Sequence, residues 1–141
     1  MKIEFERTIP VLRMFDETKA KEFYVDFLGF TIEFESRFAE HAPLYMQLRR
    51  GDMLLHLSEH HGDASPGSTI LVVMTGLDEL HRELNAKDYK YYHPCIETMP
   101  WNARIMQVGD PFGNRIRFHE EIEQPKSKRP KKSTAKKRKR Q

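Results

Sequence analysis

Seven histidines, one cysteine and 21 carboxylates are the groups on which this chain could build chemistry. The densest stretch holds His56, Glu59, His60, His61 and Asp63, and its histidines suggest a metal cluster at first sight. The local pattern argues otherwise. His56 falls within Met53 to Leu57, which reads as a strand, whereas His60 and His61 lie beyond Glu59 in a polar loop with a glycine. A catalytic metal site generally takes about three protein ligands. One inward strand histidine beside a solvated loop is the simpler reading, and adventitious metal binding through His56, His60, His61 and Asp63 stays open beside it. His41, His81, His93 and His119 show no ligand spacing. Glu59 and Asp63 can lie near His56, but nothing pairs them with a nucleophile. Cys95, next to Pro94, reads as an inert thiol. Gly62, Gly67 and Gly76 lack the spacing of a phosphate-binding loop.

Binding without reaction has better material. Trp101, the only tryptophan, follows Pro100 in a loop, and Phe30, Phe34, Phe38 and Phe112 fall near strand ends and loops. Such rings offer faces for a planar ligand, or else pack in a core or an interface. Glu35, Glu40, Glu59 and Asp63 are candidate partners for a ligand's positive charge. Charge is unevenly placed. The last eighteen residues hold ten of the 24 Lys and Arg and none of the acids, so a +10 tail follows a body of −7. This excludes a uniformly basic nucleic-acid-binding domain. The single cysteine excludes a disulfide framework. The longest apolar runs, such as Ile70 to Met74, are too short to span a bilayer, and acids near the N-terminus do not suit a signal peptide. The expectation is a cytoplasmic protein with no membrane contact.

Two similar sets of elements position these residues. Glu4 to Met14 reads as a strand, irregular or at an edge because of Pro10. Asp16 caps a helix in which Ala20, Phe23, Tyr24 and Phe27 keep helical spacing, and Gly29 ends it. Thr31 to Ser36 alternates as a half-buried strand, and Leu44 to Leu48 pairs with Met53 to Leu57 through Arg50-Gly51-Asp52. After a polar loop the order restarts: a strand from Thr69 to Met74, a helix carrying Leu77, Leu80, His81 and Leu84, then strands at Tyr89 to Tyr92, Ile105 to Val108 and Arg115 to Phe118. Two βαβββ modules, about 5–60 and 68–121, therefore make one α+β domain over 1–123. A basic segment over 124–141 is too polar to fold.

The strings Ile9-Pro10-Val11-Leu12, Ala20 to Gly29, Gly76 to Leu80, Pro100-Trp101 and Asp110-Pro111-Phe112-Gly113-Asn114 stand in this order over Thr8 to about Glu121. Together they resemble the glyoxalase/bleomycin resistance group of the vicinal oxygen chelate superfamily, and most of all its bleomycin resistance proteins. The resemblance implies paired βαβββ modules curling into half-open barrels, commonly in a homodimer. The metal-ligand positions of its enzymes fall on Ile9, His56, Thr69 and Arg117, of which only His56 offers a usable donor. The implied function is noncovalent sequestration of a cationic, aromatic, bleomycin-like antibiotic in a groove at the dimer interface, with no catalysis, metal or cofactor. Trp101, Phe38, Phe30, Phe34, His56, Glu59, Asp63 and Arg117 are the expected ligand-binding residues. Two alternatives are a metal-dependent enzyme of the superfamily (a lyase, dioxygenase or thiol transferase) and a basic tail that makes weak nucleic-acid contact.

Overall fold

Alternation and capping chemistry set most of the elements. The computed structural model describes residues 1–122. The basic segment expected over 124–141 lies outside the described residues. Asp16 accepts a hydrogen bond from Lys19 N at 2.9 Å and starts α1, Glu17–Lys21. From Glu22 to Phe27 the helix continues as a π-helix rather than the expected α-helix, with Leu28 N bonded to Phe23 O at 2.9 Å. The wider turn still buries all three rings of Phe23, Tyr24 and Phe27. Gly29 then adopts a left-handed φ of 79° that ends the helix, and a Cβ there would meet Arg50 Nη1 at 3.0 Å.

The strands form two sheets of the same design. β1 (Val11–Arg13), β2 (Thr31–Arg37), β3 (Leu44–Arg50) and β4 (Met53–Ser58) pair in the order β1-β4-β3-β2. β5 (Thr69–Val73), β6 (Ile96–Met99), β7 (Ala103–Gly109) and β8 (Arg115–Glu121) pair in the order β5-β8-β7-β6, with α2 (Leu77–Ala86) following β5. In each sheet the first strand runs parallel to the fourth and the other pairs are antiparallel. The internal repeat is thus a repeat of topology.

Three segments differ from expectation. The first strand is only Val11–Arg13: residues 1–8 stand exposed, and Pro10, which has no N–H, contributes its carbonyl to His56 N at 3.0 Å. Tyr89 to Tyr92 forms a turn instead of a strand. Asp88 has a φ of 50°, and the Tyr89 ring stacks on Phe27 with centroids 4.6 Å apart. Its aromatic content, which suggested a strand, anchors the turn to the first helix. Thr31–Arg37 is a strand, but apart from a half-buried Ile32 it is exposed rather than half-buried.

One core joins both modules. Leu12, Met46, Leu48, Leu55 and Leu57 from the first sheet share it with Met106, Val108, Ile116 and Phe118 from the second, together with Phe23, Tyr24, Phe27, Leu77 and Leu84. Each such side chain contributes roughly 1.5–3 kcal/mol when removed from water. Polar ties reinforce it. Tyr24 OH donates to Asp110 Oδ2 at 2.6 Å, Asn114 Nδ2 donates to Arg13 O at 2.8 Å, and Arg50 grips Glu83 through two bonds of 2.8 Å. Because strand side chains alternate, filling the core with one face of each sheet turns the other outward. No helix among the described residues is long and apolar enough to cross a membrane.

Candidate ligand-binding site

The outer face of the first sheet carries Tyr45, Gln47, Arg49 and His56, the residues between those that enter the core. They form a directed chain of hydrogen bonds. The Glu33 carboxylate accepts Arg49 Nε at 2.6 Å and Gln47 Nε2 at 2.7 Å. Only Oε1 of Gln47 then remains for His56 Nε2, 2.7 Å away, so that nitrogen donates. The other ring nitrogen, Nδ1, lies 2.6 Å from Tyr45 OH, within hydrogen-bond distance. The Gln47 and Arg49 donors hold the Glu33 carboxyl below the usual carboxylate range. Burial, with the nearby Asp63 charge, raises the Tyr45 phenol. Phe34, 45% exposed, stands edge-on to the His56 ring with centroids 6.1 Å apart.

The outer face of the second sheet repeats this plan with other groups. Gln47 opposes His56 across β3 and β4, and Gln107 opposes Arg117 across β7 and β8. Arg117 Nε donates to Gln107 Oε1 at 2.9 Å. The pair lines a cavity of about 700 Å³ with Ile105, Glu97, Met99 and Trp101. Trp101 sits in the β6–β7 turn, 61% exposed. Tyr91 and Tyr92 line another part of the same cavity, held from behind by Tyr89. Burial pushes the Tyr89 phenol up to about 12, with Glu22 adding to the shift, so it stays neutral.

The expected site residues therefore divide. Trp101 and Arg117 line one cavity on the second sheet, while His56 and Phe34 meet on the first, facing away from the shared core. Phe38 stands 97% exposed in the β2–β3 loop. Three of the expected residues have engagements of their own. Phe30 is only 3% exposed and packs against Tyr24 in the core, so its ring offers no face to a ligand beside Trp101. Glu59 accepts Leu44 N at 2.8 Å, and Asp63 accepts Ser58 Oγ at 2.6 Å. Both carboxylates hold the chain end of the hairpin and its following loop rather than waiting for a cation. Glu35 in turn pairs with Lys21 at 3.1 Å, so the −7 of the body is not gathered at the site.

The metal positions implied by the family resemblance do not fit a metal. Both ring nitrogens of His56 are engaged, its partner across β1 is Val11, and Arg117 faces Leu71 across β5. Among the described residues no three His, Cys, Asp or Glu are grouped closely enough to hold an ion. Sequence reasoning missed Tyr45, Gln47 and Gln107. Their signal was the short repeat Tyr45-Met46-Gln47-Leu48 and Ile105-Met106-Gln107-Val108, which places a glutamine at the same point of each module.

A family model described as glyoxalase superfamily protein matches residues 1–125. The chain belongs to the glyoxalase superfamily. Among solved structures, a bleomycin-binding protein from bleomycin-producing Streptomyces verticillus, complexed with copper(II)-bleomycin, is 30% identical. That alignment has a TM-score of 0.63 and covers 87% of this chain and 100% of the other. An antibiotic-binding protein from a Streptomyces species is 22% identical, with a TM-score of 0.62 over 86% of this chain and 98% of that one. A glyoxalase family protein from Enterococcus faecalis is 17% identical, with a TM-score of 0.59 over 83% and 97%. The last two likenesses are of fold. No curated protein sequence matches the chain. The superfamily fold accounts for the paired βαβββ modules, and the solved structures that share it include binding proteins as well as a glyoxalase family protein.

Proposed function

We propose that this glyoxalase-superfamily protein binds a planar aromatic small molecule without transforming it, in a groove shared by two copies of the chain. The observation that carries the reading is Trp101, largely exposed beside a cavity of about 700 Å³ that also displays Tyr91, Tyr92, Ile105 and Met99. A ring of this size stacked on a ligand contributes about a decade of affinity. Among the described residues the cavity's Cys95 has no hydrogen-bonded base, its His93 being bonded to Asp88, and both ring nitrogens of His56 are engaged by Tyr45 and Gln47. The bleomycin-binding protein at 30% identity supports binding as the activity. The separation of the two faces supports a shared groove: in one chain the His56 face and the Trp101 face lie on separate sheets, and a second copy laid across them would bring the two together.

Titration calorimetry with a panel of planar aromatic compounds that includes bleomycin tests this. Saturable binding is expected, with the compound recovered unchanged and Trp101→Ala weakening it about tenfold, or ~1.4 kcal/mol, without altering the thermal melt. Equal affinity in the variant would remove Trp101 from the site. Chemical conversion of a bound compound, or a stoichiometric divalent metal in the purified protein, would overturn the non-catalytic reading.

A further inference from the structure

The charges around the Trp101 cavity do not suit the cationic ligand that the body's overall −7 suggests. The acids are largely committed elsewhere. Glu17 and Glu35 take Lys21, Glu33 takes Arg49, Glu83 takes Arg50 and Asp78 takes Arg104. Glu120 accepts Gly76 N at 2.7 Å at the start of α2, and Asp110 is buried under Tyr24. Among the described residues Glu97 is the sole carboxylate lining the cavity itself. Arg117 lies on the floor, and among the described residues its side chain meets only the neutral Gln107, through Nε. Its two Nη groups, four N–H donors in one plane, carry no carboxylate. Arg115, two residues along the same face of β8 and opposite the side-chain-free Gly109, likewise forms no ion pair among the described residues.

An arginine fixed at Nε and open at both Nη atoms is prepared for a planar, two-oxygen acceptor. The Gln107 contact sets the plane of the fork, so a ligand need not order the side chain itself. We infer that the ligand is an aromatic acid: its ring lies against Trp101 and its carboxylate is received by Arg117. The inference rests on the reading of the cavity as an aromatic-ligand site and specifies the ligand's charge. Glu97, on the wall, adds repulsion that selects against acids unable to reach Arg117.

Three matched probes decide it by calorimetry on the full chain at neutral pH: 2-naphthoate, neutral 2-naphthamide and cationic 2-naphthylmethylammonium. The wild-type protein is expected to bind 2-naphthoate about tenfold more tightly than 2-naphthamide, the factor one charge-assisted contact supplies, and the cation most weakly. Arg117→Gln should abolish that advantage, lowering 2-naphthoate affinity about tenfold more than 2-naphthamide affinity. Arg117→Lys, which keeps the charge and loses the fork, should restore only part of it. Every variant retains the basic segment, so an advantage that survives in Arg117→Gln would assign it to other cations and overturn the inference. Tighter binding of the cationic probe would overturn it directly. Binding of 2-naphthamide with no preference for the acid would defeat the inference and leave the aromatic site standing. Failure of all three probes would defeat both.

Discussion

At the scale of single residues, the most demanding position is Asp110. Its Oδ1 accepts the N–H groups of Phe112 and Asn114, both at 2.8 Å, and closes the turn between β7 and β8. Its Oδ2 takes Tyr24 OH and Asn114 Nδ2, tying that turn to the first module. Burial raises the Tyr24 phenol well above its ordinary value, and the Asp110 charge adds to this, so the hydroxyl remains a donor. Tyr24→Phe removes one partner of a buried charged acceptor and is expected to cost ~1–3 kcal/mol in chemical denaturation. An unchanged midpoint would mean that the turn does not depend on this link. Ligand affinity should be unaffected, because neither group lines the Trp101 cavity.

At the scale of elements, the β3–β4 hairpin is fastened to α2 by Arg50 and Glu83. The Arg50 hydrogen bonds, ahead of its charge, hold the Glu83 carboxyl below the usual carboxylate range. A depressed folded-state value means that the unfolded chain takes up the proton first as pH falls. The stabilisation is therefore complete above the ordinary glutamate value and is lost as pH drops through the depressed one. The pair is over a third exposed, so solvent screens it and the effect is modest. Glu83→Gln is expected to lower the melting temperature at neutral pH and to converge with the wild type in acid. A gap that persists in acid would show that packing, not charge, joins the two elements. Much of this scale was legible in the sequence. Leu44 to Leu48 alternate cleanly, Gly29 marks a helix end, and the Asp110 to Asn114 string marks a turn. The Tyr89 to Tyr92 segment was not, because the same aromatic residues serve a strand or a ring-stacked turn, and only the distant Phe27 decides. Nor was the π-helix, since the Ala20, Phe23, Tyr24 and Phe27 spacing fits an α-helix equally well. The site was legible as aromatic content. Which acids were already engaged depended on partners such as Leu44 N, 15 residues from Glu59 in the chain.

At the scale of the whole molecule, the edge strand β5 shows Leu71 and Val73 at 54% and 66% exposure, a costly display for a lone chain. If the proposed groove is shared by two copies, wild type sediments as a dimer in analytical ultracentrifugation, and Val73→Lys is expected to sediment as a monomer and to bind ligand more weakly while Trp101 and Arg117 remain intact. A wild-type monomer that binds with full affinity would refute the shared groove.

The opposed outer faces have a genetic consequence. If every groove takes its first face from one chain and its second from another, a defect in either face spoils both grooves of a pure dimer. Mixing subunits changes the count. A chain with Phe34→Ala and a chain with Trp101→Ala, co-expressed, should assemble heterodimers in which one groove carries both lesions and the other carries neither. One groove of every heterodimer would recover from two individually impaired parents, whereas two lesions on the same face would never complement. Complementation between alleles thus maps the sheets without any image of the complex.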